Sequence, residues 1–392
     1  MKAIISGGGT GGHIFPAIAI ANAIKKRYPD AEILFVGAEG RMEMEKVPAA
    51  GYTIKGLPIA GLQRKLTIKN IIKNLQLPFK MIRSRRKVKK IIRDFAPDIV
   101  VGVGGFASEP TLKAAAQMGY PTLLQEQNSY AGLTNKMLAQ GARTICVAYD
   151  GMERFFPKEK IVFTGNPVRE SIERIYDSNV PKRFEGTLAE AKTMTQDHSD
   201  IKAQCRALFD LSAAKRTVLS VGGSLGAGSI NRMILDNLLF FKDNDIQLIW
   251  QTGKTMYEEA RQRVDDSGCQ QWVKVRQFIN EMDKAYLAAD VIISRAGAIA
   301  ISELCIVGKP LILIPSPNVA EDHQTKNAMA LVEKGAALMV RDSECHERGL
   351  IELLNLLNEK EKQASMSQNI QKMARRKAAE RIVDEIEKII KQ

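Results

Sequence analysis

Three turns, and the polar side chains that follow them, hold most of the chemistry this sequence can do. The first is GGGTGGH at residues 7–13, between the apolar run Ala3-Ile4-Ile5 and a helical pattern that follows Ile14-Phe15-Pro16. Strand, glycine turn, helix is how a chain offers backbone N–H groups and a helix N-terminus to a phosphate or diphosphate. Glycine permits the tight turn and the close approach of backbone to ligand. His13 follows directly. An imidazole there can take a proton near neutral pH; the blander alternative is a helix-start histidine that bonds only nearby backbone. The second turn, GGSLGAGS at 222–229, repeats the device after the apolar run TVLSV and offers Ser224 and several backbone donors. The third, SRAGAIAISE at 294–303, runs from a strand end through Gly297 into a helix. Its N-terminus suits a phosphate, and Glu303, two turns in, can accept from both hydroxyls of a ribose. Read alone, Glu303 is an ordinary solvated helix acid. EDHQTKNA (321–328) adds His323, Gln324 and Asn327, groups of the kind that hold sugar hydroxyls. QEQNSYAGLTNK (125–136) masses polar side chains at a strand's C-terminal end, where open α/β sheets place their sites.

Gly7, Gly9 and Gly12 formally match the dinucleotide fingerprint, and a nicotinamide- or flavin-dependent oxidoreductase is the alternative they raise. The acid that fingerprint wants is poorly placed: Glu39 is the nearest candidate and lies too late. No zinc-ligand spacing is present. The one D-x-D, Asp243-Asn244-Asp245, precedes a strand and reads as turn chemistry rather than a metal-diphosphate site. Neither a metal nor a bound cofactor is expected.

These groups need two scaffolds. Apolar strands at 31–37, 97–105, 121–124, 144–148 and 161–164 follow the first turn. Strands at 217–221, 246–250, 272–278, 289–294, 310–315 and 336–340 form a second set. Helical patterns between them predict an α/β fold with two Rossmann-like, doubly wound parallel-sheet domains facing a cleft. A chain of 392 residues is long for one core, which agrees. Pro58 with Gly56 and Gly61 reads as a loop, 172–200 as a polar insertion without clear period, and 361–392 as a closing helix.

The net charge is +13, and twelve Lys or Arg with no Asp or Glu between Arg64 and Arg93 nearly account for it. Ile68, Ile71, Ile72, Leu75, Phe79 and Ile82 recur there at helical spacing, with Lys69, Lys73, Lys80 and Arg83 off the stripe and Pro78 as a break or kink. Two readings stand: an amphipathic helix pair facing the core, or an apolar patch ringed by cations on an anionic membrane surface. The interleaved isoleucines and the lack of aromatics for base stacking argue against nucleic acid. Five scattered cysteines without a C-x-x-C pair read as buried thiols in a reducing cytosol. The N-terminus opens on a strand without a secretory signal, and no apolar run reaches the roughly 18–20 residues that span a bilayer.

GGTGGH, basic helices, GGF-x-S-x-P (104–110), EQN-x-x-AGLTNK (126–136), GNPVR (165–169), GGSLGA, SRAGAIAISE and HQTKNA occur in this order. As an ordered set they resemble the MurG-type family, the membrane-associated N-acetylglucosaminyltransferases of peptidoglycan synthesis (glycosyltransferase family 28). The resemblance covers nearly the whole chain except 172–200 and details of the tail. It implies the GT-B fold, with an acceptor and membrane-docking domain at 1–166 and a UDP-sugar-binding domain at 167–365. A C-terminal helix of about 366–392 would pack back on the first domain. It implies inverting transfer of N-acetylglucosamine from UDP-N-acetylglucosamine to the muramoyl 4-hydroxyl of undecaprenyl-linked lipid I, giving lipid II. The setting would be peripheral, on the cytoplasmic face of the cell membrane, among other cell-wall synthesis proteins. The nearest rivals are other lipid-acceptor GT-B enzymes such as diacylglycerol sugar transferases.

Carried over position by position, the resemblance implies that Thr10, Gly11 and Gly12 meet the donor or the lipid diphosphate. Asn128 would contact N-acetylglucosamine, with Asn135 in the same motif. Arg169 and Ser224 would hold phosphate or nearby groups. Ile279, Ala298, Ile299, Ala300, Ile301, Ser302 and Glu303 would line the uracil and ribose pocket, with Gln324 on sugar hydroxyls. His13 is the first choice for the base, with Glu126 behind it. Ile71, Ile72, Leu75 and Phe79, with Lys69, Lys73 and Arg83, would dock the membrane. Three positions depart from the family: Leu225 and Phe106 stand where some relatives carry glutamine and tyrosine, and Gln125 where histidine also occurs.

Overall fold

The computed structural model describes residues 1–59, 77–179, 199–223, 226–319 and 322–391. They divide into two compact units, Met1–Arg169 with Arg375–Gln392, and Glu170–Ala374.

The first unit is built on a parallel sheet of β1 (Lys2–Ser6), β2 (Glu32–Ala38), β3 (Thr53–Leu57), β4 (Ile99–Gly102), β5 (Thr122–Glu126), β6 (Thr144–Val147) and β7 (Ile161–Phe163). Their order across the sheet is β3-β2-β1-β4-β5-β6-β7. The central strands carry near-continuous apolar runs because helices cover both faces: Ala3, Ile4, Ile5, Ile99, Val100 and Val101 are fully buried. Strand order reverses between β1 and β4, and at that switch point an open α/β sheet leaves a crevice beyond its carboxyl edge. The glycine turns after β1 and after β4 both sit there.

The second unit repeats the plan with β8 (Arg216–Val221), β9 (Ile246–Gln251), β10 (Val273–Arg276), β11 (Val291–Ser294), β12 (Leu311–Leu313) and β13 (Leu338–Met339), in the order β10-β9-β8-β11-β12-β13. Its switch point lies between β8 and β11, which the GGSLGAGS and SRAG turns follow. Two doubly wound parallel sheets were expected from the strand–helix alternation, and two are found.

Several elements differ from the reading above. β3 runs into the expected loop as far as Leu57, so Gly56 lies inside a strand, where a Cβ would meet Glu39 Cγ at 2.6 Å, while Pro58 follows the strand. The segment 172–200 does not open as an aperiodic insertion; Glu170–Asn179 is a helix with Ile172 and Ile175 buried, and helix resumes at 199–207. Residues 180–198 lie outside the described set. The tail is two helices, Lys360–Lys372 and Ala378–Ile390, separated at Lys377, whose φ is +56°.

Helix Ala378–Ile390 belongs to the first unit, where it packs on helix Gly11–Arg27. Its Ile382, Val383 and Ile386 are fully buried, Ile389 is 8% exposed, and they face Ile20 and Ile24 in one core. Arg27 also bonds Asp384 and Glu387 across this contact. Burial holds the helix: each enclosed aliphatic side chain contributes about 1.5–3 kcal/mol, against about 0–1 kcal/mol for an exposed ion pair.

Of the basic segment, helix Leu77–Phe95 is described, with Pro78 in its first turn, where the missing N–H does little harm. Ser84, Val88, Ile91 and Ile92 are buried, while Arg83, Arg86, Lys87, Lys90 and Arg93 are exposed. Arg85 pairs with Glu109 at 3.0 Å and Lys87 with Glu39 at 2.8 Å. From Arg83 onward this is an amphipathic helix facing the core. Lys69, Ile71, Ile72, Lys73 and Leu75 lie outside the described residues, as does the Phe79 side chain. Among the described residues no helix is long and apolar enough to cross a membrane.

All five cysteines are unpaired and buried, as read from their spacing. Burial pushes the Cys305 thiol up to about 12 and the Cys345 thiol up to about 11.

Candidate active site

In the first unit the glycine turn is a rigid cradle. Helix Gly11–Arg27 starts six residues before the Ala17 pattern suggests, with Pro16 inside it, and this brings His13 into the first turn. Thr10 is the N-cap, and its carbonyl accepts from the His13 and Ile14 N–H groups at 3.1 and 3.2 Å. Thr10 and Gly12 are exposed, Gly11 half-buried. The half-buried His13 ring has Nδ1 3.2 Å from the Gly8 carbonyl oxygen and 3.3 Å from Thr10 Oγ1. A carbonyl only accepts, so Nδ1 carries the proton in the neutral ring and Nε2 is the basic nitrogen. The backbone bond of the bland reading is thus present, and it selects the tautomer a base needs. The turn after β4 makes room for this ring: a Cβ on Gly104, whose φ is +90°, would lie 3.0 Å from His13 Cδ2 and 3.1 Å from Nε2.

Glu126, at the end of β5, is 1% exposed. Oε1 accepts from the Asn128 backbone N–H (3.0 Å) and Nδ2 (3.2 Å); Oε2 accepts from the Gly132 N–H (3.0 Å) and Asn135 Nδ2 (2.9 Å). Four donors occupy this carboxylate. It holds the 128–135 loop, with both oxygens engaged by these donors. Asn128 is half-buried on that loop and Asn135 is buried, its Nδ2 near the position a Gly104 Cβ would fill beside His13. Of the three departures from the family, Leu225 lies outside the described residues and the other two are engaged here. Gln125 Nε2 donates to Asn166 Oδ1 (2.9 Å), and the Phe106 ring packs on Gly9. Arg169 is half-buried at the end of this unit.

Glu43, unremarkable in sequence, is completely buried beneath the turn. It accepts from the Gly9 N–H through Oε2 and the Ala38 N–H through Oε1, both at 3.0 Å. A Cβ on Gly8 would lie 2.2 Å from Glu43 Oε1 and would displace this carboxylate. Glu39, the candidate ribose acid of the dinucleotide reading, is instead paired with Lys87 on the surface.

In the second unit Ser224 lies outside the described residues, but the turn on either side of it is fixed. Gln251, 3% exposed, donates from Nε2 to the Gly223 carbonyl (3.0 Å) and accepts from the Ile279 N–H (3.1 Å). This side chain, whose residue type does not signal the role, ties the glycine turn to the buried Ile279. Gly226 has φ +81°, and a Cβ there would sit 2.1 Å from the Thr252 carbonyl oxygen. Gly226→Ala is expected to lower unfolding stability by about 2–3 kcal/mol, read by denaturant unfolding; equal stability would contradict the packing described.

Helix Ala298–Val307 starts from the N-cap Gly297 beyond β11. Its early residues present a graded surface: Ala298 and Ile301 are buried, while Ile299, Ala300 and Ser302 are half-buried. Glu303 is 5% exposed, and the Tyr286 hydroxyl donates to its Oε2 at 3.3 Å. It is not a solvated helix acid. Gln324 Oε1 accepts from the Ala296 and Ser316 N–H groups at 3.2 and 2.9 Å, which leaves the amide nitrogen as its donor end. Asn327 is fully buried and donates toward the Ala296 carbonyl at 3.4 Å. Asp245 has φ +51° and accepts from Lys215 Nζ at 2.6 Å, so the D-x-D is a turn held by an ion pair. Among the described residues no group of three or more His, Cys, Asp or Glu is placed to hold a metal ion.

Two parallel-sheet α/β units, each with a glycine turn and helix N-terminus at its switch point, are the make-up of a GT-B glycosyltransferase. The glycosyltransferase family 28 N-terminal domain matches residues 3–147 and the family's C-terminal domain matches 217–382; the chain belongs to this family and is a glycosyltransferase. It is 52% identical over 390 residues to the UDP-N-acetylglucosamine--N-acetylmuramyl-(pentapeptide) pyrophosphoryl-undecaprenol N-acetylglucosamine transferase of Parabacteroides distasonis, covering 99% of this chain and 98% of that one. A Cytophaga hutchinsonii protein of the same name is 52% identical, covering 99% and 97%. The crystal structure of Acinetobacter baumannii MurG superposes with a TM-score of 0.73 at 26% identity, covering 99% of each chain.

Proposed function

We propose that this enzyme transfers N-acetylglucosamine from UDP-N-acetylglucosamine, with inversion, to the 4-hydroxyl of the muramoyl residue of lipid I, releasing UDP and forming lipid II for peptidoglycan synthesis. The full-length likeness to transferases of that name carries the reading. The geometry supports a division of labour. Backbone donors of residues 10–12 meet a diphosphate, and His13 Nε2 takes the proton of the attacking hydroxyl. Glu126 orients Asn128 and Asn135 toward the sugar. In the second unit the turns after β8 and β11 face the donor diphosphate, with Ser224 as a further phosphate contact; Arg169, at the end of the first unit, is also assigned to phosphate. Residues 298–302 and Ile279 border the base and ribose, Glu303 accepts from the ribose hydroxyls, and Gln324 donates to the sugar. Stabilising departing UDP falls to the N–H groups and helix N-termini there. Acceptor-dependent release of UDP tests this: lipid I analogue is expected to drive release, and diacylglycerol is not. Equal release with diacylglycerol would favour the rival lipid-acceptor enzyme.

The same proposal places the enzyme peripherally on the cytoplasmic face of the membrane, beside other cell-wall synthesis proteins, with residues 64–93 on anionic lipid. Each cation near such a surface contributes about 1 kcal/mol. Charge reversal at Lys69, Lys73 and Arg83 is therefore expected to lower co-flotation with phosphatidylglycerol-rich vesicles more than tenfold. Undiminished flotation would remove this segment as the anchor.

A further inference from the structure

The Gly8 carbonyl that faces His13 and the Gly9 N–H that donates to Glu43 belong to one peptide group. His13 Nδ1, the Gly8–Gly9 peptide and Glu43 Oε2 therefore form one line of hydrogen bonds, 3.2 Å on the imidazole side and 3.0 Å on the carboxylate side. A carboxylate drawing on the N–H end of a peptide strengthens its C=O end as an acceptor, because hydrogen bonds in series polarise one another, more so where water is excluded. Glu43 is completely buried and each of its oxygens takes a backbone N–H, so its orientation is fixed by the fold rather than by solvent.

We infer that Glu43 is a positioning residue of the transfer reaction, acting on His13 through the Gly8–Gly9 peptide as the acid of a histidine–acid pair acts by direct contact. The inference rests on His13 being the base and deepens that reading. Two opposed effects explain why such a device is useful. His13 stands in the first turn of helix Gly11–Arg27, whose N-terminal field disfavours an imidazolium. A base must hold the proton it takes, so the site needs negative potential on the Nδ1 side that does not occupy the anion-binding face of the turn. A carboxylate behind the peptide provides it and keeps Nδ1 protonated, Nε2 basic. Charged groups on neighbouring segments are Glu126, engaged by four donors that include Asn135, and Arg41, which lies over the Phe106 ring at 5.8 Å.

The test is the titration of His13, followed by NMR of ring-labelled histidine in full-length enzyme and assigned by its loss in His13→Ala. Glu43→Gln keeps shape and removes the charge, and Glu43→Asp keeps charge at a shorter reach. In Glu43→Gln the His13 pKa is expected to fall by about half to one unit. The acid limb of kcat/KM should move to lower pH with it, and kcat should fall about tenfold at unchanged affinity for UDP. Glu43→Asp is expected to lie between that variant and the native enzyme, and decides the matter if the glutamine variant does not fold. A His13 titration and acid limb identical to the native enzyme in the folded variant, with activity reduced or not, would overturn the inference. Full turnover by His13→Ala would instead remove the base assignment, a separate result from the titration.

Discussion

His13→Ala is expected to lower kcat by about 10²–10⁴, the range a positioned general base contributes, while affinity for the UDP-sugar changes little. The asymmetry follows from where the residues sit. His13 belongs to the first unit, in the opening turn of helix Gly11–Arg27, whereas Gln251, Ile279, Glu303 and Gln324 belong to the second. Its ring is held by Gly8 and Thr10 on one side and by the space Gly104 leaves on the other. Removing it opens a hole without disturbing the backbone bonds from residues 13 and 14 to Thr10. Steady-state kinetics with varied donor and varied acceptor separate the two effects. Unchanged kcat would remove His13 as base. A rise confined to donor KM would mean that the turn after β1 binds nucleotide instead.

Glu303→Gln is expected to weaken UDP binding about a hundredfold, and Glu303→Ala at least as much. A carboxylate accepting from two ribose hydroxyls makes two charge-assisted bonds, each contributing roughly 1.5–3 kcal/mol, and such bonds do not add fully. Glu303 is suited to this because it is held before ligand arrives: it is 5% exposed, two turns into helix Ala298–Val307, with the Tyr286 hydroxyl on Oε2. The glutamine variant keeps the volume and a carbonyl for Tyr286, so its fold should survive. Calorimetric titration with UDP reads the effect. Native affinity in both variants would show that the ribose is held elsewhere.

The architecture was legible because parallel strands covered on both faces must be apolar throughout, and runs such as Ile99–Val101 are unmistakable. β3 was not legible. TIKGL at a sheet edge is short, and Gly56 reads as a breaker until Glu39 is known to lie against it. The tail's division was hidden for a related reason: Lys377 takes a left-handed conformation that its residue type does not advertise. In the site, glycines and histidine announced themselves by spacing. Glu43 did not, because a glutamate in MEMEK looks like any helix-surface acid. Only the pairing of β1 with β2 brings it under the Gly8–Gly9 peptide. Gln251 is similar, a strand-end amide whose role appears only with its two backbone partners. Glu126 was noticed, but its type alone could not show that it organises a loop; the four donors around it do.

The most direct test of the account is to follow labelled N-acetylglucosamine from UDP-N-acetylglucosamine into a lipid I analogue and to determine the linkage formed. One β-1,4-linked N-acetylglucosamine per acceptor is expected, appearing with an equal amount of UDP. Label that stays on the nucleotide, passes to water, or forms an α-linkage would contradict it.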